Sequence, residues 1–388
     1  MRRIILSGFK SFRRLDEFTL GDLNILVGPK DAGKSNLVSF FEMLAKLAEN
    51  NLQSYVQRCG GPAGILHGGN DPARKLEAGL FFEDETFING YEFVLETPLE
   101  PLPGIPPNLP RRATNPGLVF DGEALFFLGK GFTHPFYTYL HPHDGPNNGG
   151  YRETKLPGGG NHQKPTEWHI LELLKNMRTY DFHNVGISST FKIPGCFSKN
   201  PVQTFGRLDR NGSNLAAFLF YLKAGYPAHY RKMIPAIRFA EPSFEGFRFR
   251  SLGHNAFKAM VTWKGKDFAD NLDFNQLRGA TRKWLCLAAL FAQPDPPSTI
   301  ILDEPARGLT NVAGKLLAEW IRACARKTQV IVTSKPNLWV GHFEPENVIY
   351  VKKENGQSRL QRPLLPVYYK ETNSSCPCEI STVKERAL

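Results

Sequence analysis

A stretch of eight residues near the N-terminus has the residue types and the spacing of a phosphate-binding loop. It reads Gly28-Pro-Lys-Asp-Ala-Gly-Lys-Ser35 and fits the pattern G-x-x-x-x-G-K-[ST] without exception. Glycines let the backbone wrap around a phosphate, and the amides at the start of the following helix direct partial positive charge towards it. Lys34 would reach the terminal phosphates of a nucleotide, and the Ser35 hydroxyl would bind Mg²⁺. The residues expected to contact ATP are Gly28, Pro29, Lys30, Asp31, Ala32, Gly33, Lys34, Ser35 and Asn36.

Two adjacent carboxylates follow an apolar run much further along the chain. Residues 300–302 predict a buried strand that ends at Asp303 and Glu304. Taken alone, such a pair is common and usually marks a solvated strand end. Together with a phosphate-binding loop it predicts a hydrolytic site, in which Asp303 binds Mg²⁺ and Glu304 polarises the attacking water. Lys34 and Glu304 are therefore candidate catalytic residues.

The elements around these motifs predict an α/β fold. Apolar runs before the loop predict strands, and periodic apolar residues from Leu37 onwards predict a helix that ends near Arg58. Over residues 279–353 helices and strands alternate, which is typical of a mostly parallel sheet with helices on its faces. Because Lys34 and Asp303 lie far apart in the sequence, a large segment must be inserted between the two halves of one nucleotide site.

Changes in composition divide the chain into five predicted segments. The stretch 97–165 is rich in Pro and Gly, which favours an insertion of strands and loops. A helix is expected over residues 167–178. The predicted segments are an N-terminal lobe with the phosphate-binding loop (1–96), the insertion (97–165), a helical subdomain (166–280), a C-terminal lobe with the two carboxylates (281–355) and a polar tail (356–388).

The composition favours a cytoplasmic protein with a basic surface. The chain has 388 residues, a hydrophobic share of 41% and a formal charge of +11. Such a charge favours polyanionic partners. The basic residues are spread along the chain, however, so contact with DNA or RNA and a plain solvated surface both stay open. Six scattered cysteines predict a reducing compartment, and no apolar run is long enough to span a bilayer.

Several segments resemble the RecF-like and SMC-like P-loop ATPases of the ABC ATPase superfamily. The likeness covers roughly residues 1–60 and 180–355. It implies an ABC-type P-loop NTPase head with a helical subdomain, in which two heads pair and each contributes a P-loop to one ATP and a signature motif to the other. The residues that carry it are Phe9-Lys-Ser-Phe12, Leu23-Asn-Ile-Leu-Val-Gly-Pro29, Tyr180-Asp-Phe-His183, Leu208-Asp-Arg-Asn-Gly-Ser-Asn-Leu-Ala-Ala-Phe-Leu219, Gln329-Val-Ile-Val332 and Phe343-Glu-Pro-Glu346.

The signature and switch positions depart from that family pattern. The signature usually reads L-S-D-G-T-L-R, whereas the aligned stretch here begins Leu277-Arg-Gly-Ala-Thr281. Arg278 stands where a serine caps a helix and contacts the γ-phosphate across the dimer. A guanidinium cannot accept the capping hydrogen bond but can pair with a phosphate. The resemblance places Arg278 and Thr281 against the partner's ATP and Lys335 at the switch position, where it either binds the γ-phosphate or faces solvent.

Two functions follow from the resemblance and both stay open at this point. The first is ATP hydrolysis with Mg²⁺ that opens and closes a homodimer or higher homo-oligomer, in DNA repair or anti-phage defence. The second is a nucleotide-bound scaffold or sensor with little turnover. In either case a separate nuclease or effector, or DNA bound through the 97–165 insertion, is a candidate partner. Phe136, Tyr137 and Tyr139 in this insertion are expected to be buried or to anchor a loop, with base stacking as the alternative.

Overall fold

The computed structural model describes most of the chain. The described residues are 1–69, 75–83, 86–98, 117–129, 131–140, 150–156, 165–192, 206–251, 258–266 and 270–363. The α-helices in them are α1 (Lys34–Ala48), α2 (Leu52–Arg58), α3 (Pro165–Lys175), α4 (Leu215–Gly225), α5 (Pro227–Ala240), α6 (Gly279–Phe291) and α7 (Asn311–Ala325). Short 3₁₀ helices span Pro62–Gly64, Phe274–Gln276, Leu338–His342 and Pro345–Asn347. None of the described helices is long and apolar enough to cross a membrane.

Six strands form an antiparallel sheet in the order β2-β1-β4-β5-β6-β7. They are β1 (Arg3–Phe9), β2 (Phe12–Thr19), β4 (Lys75–Glu83), β5 (Phe87–Glu96), β6 (Val119–Gly129) and β7 (Phe136–Tyr139). Alternate side chains of this sheet point to one core, as the twofold periodicity of strands requires. In β4, for example, Leu76, Ala78 and Leu80 are buried in the cluster that also contains α1.

A second sheet carries the two sequence motifs. Its order is β15-β14-β3-β13-β12-β8, and all its neighbouring strands are parallel except β14 and β15. Its strands are β3 (Leu23–Val27), β8 (Met177–Tyr180), β12 (Thr299–Leu302), β13 (Gln329–Ser334), β14 (Val348–Glu354) and β15 (Gln357–Gln361). The α/β fold with a mostly parallel sheet at the nucleotide motifs is confirmed.

The parallel sheet is buried on both faces. Ile301 and Ile331 point into the cluster that contains α1 and the antiparallel sheet. Their neighbours Ile300 and Val330 point into a second cluster with α4, α6 and α7. Parallel strands covered in this way read as continuous apolar runs. A small sheet of β9 (Thr190–Lys192), β10 (Phe244–Ser251) and β11 (Lys258–Gly265) packs in the helical region, in the order β10-β11-β9.

Several element boundaries differ from those expected from the sequence. The helix expected to run to Arg58 is two helices, because the chain turns at Asn50, which has a positive φ of 53°. The helix expected over 167–178 ends at Lys175, and the next residues form β8. Strands are present in two of the predicted segments, as expected for the insertion of strands and loops but not for the polar tail. β6 and β7, within 97–165, join the antiparallel sheet, and β15, within 356–388, joins the parallel one; the other residues of these two segments lie largely outside the described part.

Candidate nucleotide site

The phosphate-binding loop connects β3 to α1, and its two glycines are fixed by the strands beside it. A Cβ on Gly28 would overlap the backbone oxygen of Val351 in β14. Gly33 has a φ of 109°, and a Cβ there would overlap the Oγ of Ser358 in β15. Ser358 is buried and donates to the carbonyl oxygen of Ala32 at 2.6 Å. The loop therefore keeps its shape because strands from the far end of the chain support it.

The lysine of the loop lies folded back on the loop itself. Its Nζ donates to the carbonyl oxygens of Gly28 and Pro29 at 2.7 and 2.8 Å. Burial lowers the pKa of Lys34, against the opposing effect of the carboxylates of Glu304 and Asp303. Since Gly33 precedes α1 and has no side chain to cap it, amides of the first turn remain for an anion.

Asp303 and Glu304 are held at the end of β12 by the neighbouring strand. The hydroxyl of Thr333 in β13 donates to Asp303 Oδ1 at 2.5 Å and accepts the backbone N–H of Glu304 at 2.9 Å. Thr333 is fully buried. Glu304 has a positive φ of 41°, a conformation that costs energy for a non-glycine residue and often marks a functional site.

An aspartate and a histidine after β8 reach the same place. Asp181 Oδ1 lies 2.6 Å from His183 Nδ1 and also accepts the backbone N–H of His183 at 3.0 Å. Burial would raise the pKa of Asp181, but these hydrogen bonds outweigh it and the pKa is lowered. His183 Nε2 is 3.8 Å from Glu304 Oε2. In the sequence this stretch is marked only by the resemblance to known ATPases, and no role for it follows from its residues alone.

A buried lysine supports the turn after Glu304. Lys283 in α6 donates through Nζ to the carbonyl oxygens of Glu304 and Arg307, at 2.8 and 3.1 Å. Burial lowers its pKa to about 8, and Asp181 is the foremost of the groups that oppose this effect. Sequence reasoning missed Lys283, which follows Arg282 and stands directly before the apolar run 284–290, so no local pattern marks it.

The P-loop, the two carboxylates and His183 border a cleft of about 790 Å³, within the roughly 300–1,000 Å³ typical of small-molecule sites. Positive and negative groups face each other across it, which suits a polyphosphate with a divalent cation. The hydroxyl of Ser35 and the carboxylate of Asp303 are the oxygen ligands that Mg²⁺ prefers. The predicted residues in the lining are Lys30, Asp31, Gly33, Lys34, Ser35, Asn36, Asp303, Glu304 and Lys335, and the additional ones are Ser11, His183, Arg307 and Lys353.

Comparison with known proteins points to one fold. A crystal structure of the SmcHead bound to the C-winged helix domain of ScpA matches with a TM-score of 0.52 and 14% identity, over 93% of this chain and 97% of that chain. The SMC head domain from Thermotoga maritima matches with 0.40 and 16%, over 95% and 99% of the two chains. The Pyrococcus furiosus Smc head with an extended coiled coil, bound to the C-terminal domain of ScpA, matches with 0.46 and 12%, over 93% and 95%. The first of these matches shows that this protein has the fold of an SMC head.

A family model agrees with this fold over part of the head. The family described as "AAA domain, putative AbiEii toxin, Type IV TA system" matches residues 200–334. No curated protein matches the chain. The SMC-like head expected from the sequence motifs is confirmed at the level of the fold. At 14% identity the likeness to the SmcHead concerns the fold, and the residues of the site have to be judged from their own geometry.

The residues expected at the signature position, Arg278 and Thr281, are not in the lining of the cleft. Arg278 precedes α6 with no side-chain capping hydrogen bond, as expected for a guanidinium, and its side chain is exposed. Thr281 is buried, and its hydroxyl donates to Glu241 Oε1 at 2.7 Å. Lys335 is exposed and lines the cleft after β13, so it faces both solvent and the phosphate loop. The roles of these residues towards ATP stay predictions.

Proposed function

We propose that this protein binds ATP with Mg²⁺ and hydrolyses it, and that the cycle controls the pairing of two copies. The observation that carries the proposal is the convergence, in one cleft, of the P-loop with Asp303 and Glu304 from the far end of the chain. A glycine turn with only a structural role would not explain why Glu304 has a positive φ and why Thr333 of β13 and Lys283 of α6 both hydrogen-bond to its backbone.

Each group of the cleft has a role in this reaction. Lys34 leaves the loop carbonyls and binds the terminal phosphates, while Glu304 accepts a proton from the attacking water. Ser35 and Asp303 would hold Mg²⁺, which would supply positive charge next to the phosphates. Lys30 and Lys335 add positive charge at the open side of the cleft, and Asn36 continues the loop into α1.

A second copy would complete the site. Arg278 and Thr281 lie away from the P-loop of their own chain, and the exposed Arg278 is available to the ATP of a partner. The proposed assembly is a homodimer or higher homo-oligomer in the cytoplasm, serving DNA repair or antiviral defence together with a nuclease or another effector. Binding of a partner protein to this fold is seen in the SmcHead structure, which contains the C-winged helix domain of ScpA.

The test is ATP turnover by the wild-type protein, Lys34→Ala and Glu304→Gln, with and without duplex DNA, while light scattering follows the molecular mass. We expect turnover in the wild type, loss of ATP binding in Lys34→Ala, and an ATP-bound dimer that persists in Glu304→Gln. Equal background rates in the wild type and Lys34→Ala would refute hydrolysis. A mass that never changes with nucleotide would refute pairing.

A second candidate function is a nucleotide-bound scaffold with little turnover. It is favoured by the arginine at position 278, which leaves the start of α6 without a side-chain cap, and by the lysine at the switch position. Tight ATP binding without hydrolysis, even with DNA, would support the scaffold. Steady-state turnover that disappears in Glu304→Gln would exclude it.

Exposed aromatic side chains favour nucleic acid as a partner, whether the protein hydrolyses ATP or acts as a nucleotide-bound scaffold. Phe136, Tyr137 and Tyr139 of β7 are 58%, 48% and 65% exposed, so of the expectation that they are buried or anchor a loop the first part is wrong. The ring of Phe136 does contact Phe132 in the loop before β7. Bases stack on such rings and phosphate contacts weaken with salt. Binding of single-stranded DNA should therefore fall in Tyr137→Ala and with rising salt. Affinity that neither change alters would count against this partner.

A further inference from the structure

The Asp181–His183 pair faces the cleft without a role in the functions described so far. Within the described residues no group hydrogen-bonds to His183 Nε2, although this atom is buried. Buried polar atoms in native proteins nearly always have a partner, and an exception calls for an explanation such as a bound water or a catalytic role. The same atom points towards the carboxylate of Glu304, 3.8 Å away.

Asp181 determines which imidazole nitrogen carries the proton. Its carboxylate is 2.6 Å from Nδ1, and the lowered pKa of Asp181 keeps it ionised and able only to accept. The proton of a neutral His183 is therefore on Nδ1, and Nε2 presents a lone pair to the cleft. The carboxylate thus orients the histidine as the buried aspartate does in an Asp–His pair of a hydrolase.

The separation of Nε2 from Glu304 Oε2 fits one water between them. A water oxygen can lie about 2.8 Å from both acceptors when they are this far apart. Its two hydrogens then point to His183 and Glu304, which directs an oxygen lone pair towards the rest of the cleft. Direct hydrogen bonding of the two side chains would need a proton on Nε2, which the Asp181 contact disfavours.

We infer that His183, oriented by Asp181, holds the attacking water together with Glu304 and thereby positions this water for the reaction. This inference rests on the proposed ATP hydrolysis. It assigns His183 to the γ-phosphate side of the site and makes Asp181 a positioning residue. The reaction itself is unchanged: the water attacks phosphorus, the bond to the ADP oxygen breaks, and Glu304 receives the water's proton.

The segment that carries the pair is joined to the P-loop helix. The backbone N–H of Asp181 donates to the carbonyl oxygen of Arg210 at 2.8 Å, and the Arg210 side chain pairs with Glu42 on α1. Glu42 also pairs with Arg58. One ion pair and one hydrogen bond therefore connect α1 to the segment that carries Asp181 and His183.

The experiment compares steady-state kinetics of His183→Phe, His183→Gln and Asp181→Asn with the wild type. His183→Phe keeps a ring but no acceptor, and kcat should fall about 100-fold while KM changes little, since misplacing a reacting group costs about that much. His183→Gln offers an amide oxygen to the water and should retain more activity than His183→Phe. Asp181→Asn can donate to Nδ1, move the proton to Nε2 and thereby lower kcat as well. His229→Gln is the matched control, because His229 bonds to the Ala292 carbonyl oxygen outside the cleft.

Nitrogen-15 NMR of the histidines gives a readout that does not depend on turnover. The His183 signal, assigned by its absence in His183→Gln, should show the proton on Nδ1 in the wild type and on Nε2, at least in part, in Asp181→Asn. A wild-type His183 with its proton on Nε2 would overturn the inference. Hydrolysis by the wild type with normal kcat in His183→Phe would overturn it while leaving the proposed function intact. A wild type that does not exceed Lys34→Ala in turnover would overturn the proposed function and this inference with it.

Discussion

Replacing Lys283 with methionine should change how the stability of the protein depends on pH. The Lys283 amine is buried in α6 and has a pKa of about 8, compared with 10.5 for an ordinary lysine. Its hydrogen bonds to the carbonyl oxygens of Glu304 and Arg307 only partly offset the loss of hydration. The folded state therefore favours the neutral amine more strongly than the unfolded chain does.

The sign and size of the effect follow from proton linkage. Between pH 8 and 10.5 the unfolded chain binds more protons at Lys283 than the folded protein does, so stability rises with pH in this window. The difference between the two pKa values corresponds to about 3 kcal/mol, at about 1.4 kcal/mol for each pH unit. Lys283→Met removes this gain. At neutral pH two effects oppose each other: the two carbonyls lose their donor, at a cost of about 1–3 kcal/mol, and the desolvation of the buried ammonium is relieved.

The assay is the free energy of unfolding in urea, measured across this pH range for wild type and Lys283→Met. Other groups titrate in both proteins, so the difference between the two curves isolates Lys283. Lys232→Met, at an exposed position of α5, is the matched control and should follow the wild type. If the gap between wild type and Lys283→Met stays constant from pH 7 to about 10.5, the buried environment assigned to Lys283 is wrong.

Three further substitutions test the elements that hold the site. Gly33→Ala should abolish ATP binding, because the added Cβ would overlap Ser358. Gly60→Ala is the control and should keep ATP binding, since Gly60 also has a positive φ, of 93°, but no described atom lies within 4 Å of its Cβ. Equal losses of affinity in the two variants, measured by titration calorimetry, would contradict the proposed clash. Thr333→Val should lower kcat about tenfold and destabilise by about 1–3 kcal/mol, since the Glu304 N–H loses its acceptor, and Thr333→Ser should restore both. Glu123 is buried and accepts from Tyr91 and Tyr151, so Glu123→Gln should lower the unfolding free energy by about 1–3 kcal/mol while ATP binding persists; an unchanged urea midpoint would refute this.

Local motifs predicted the site because its central residues follow apolar strands. The P-loop pattern and the Asp303-Glu304 pair each combine a strand end with side chains of defined chemistry, so residue type and spacing were enough. Lys283 and Thr333 have no such local mark. Their importance comes from contacts between α6, β12 and β13, which are distant in sequence, and a single lysine or threonine does not reveal them.

Other parts of the fold could not be predicted, because their local composition indicates a different structure from the one that tertiary contacts produce. Gln357–Gln361 is polar and follows a turn at Asn355-Gly356, so it resembled the start of a tail. Its pairing with β14 buries Ser358 under the P-loop, and that contact decides its structure. Likewise β6 is separated from β5 by a Pro-rich stretch, and only the register of Phe93 with Glu123 and its neighbours joins it to the sheet.

The order of strands in the parallel sheet explains why residues from four parts of the chain meet. β8, β12, β13 and β3 are consecutive neighbours and run in the same direction, with Tyr180 beside Leu302, Leu302 beside Val332 and Ser334 beside Val27. Their carboxyl ends therefore form one edge, where ligands of open α/β sheets bind. His183, Glu304, Lys335 and the P-loop each follow one of these strands by a few residues. Since strand order is a long-range property, the sequence could indicate each group separately, but the pairing of His183 with Glu304 required the sheet.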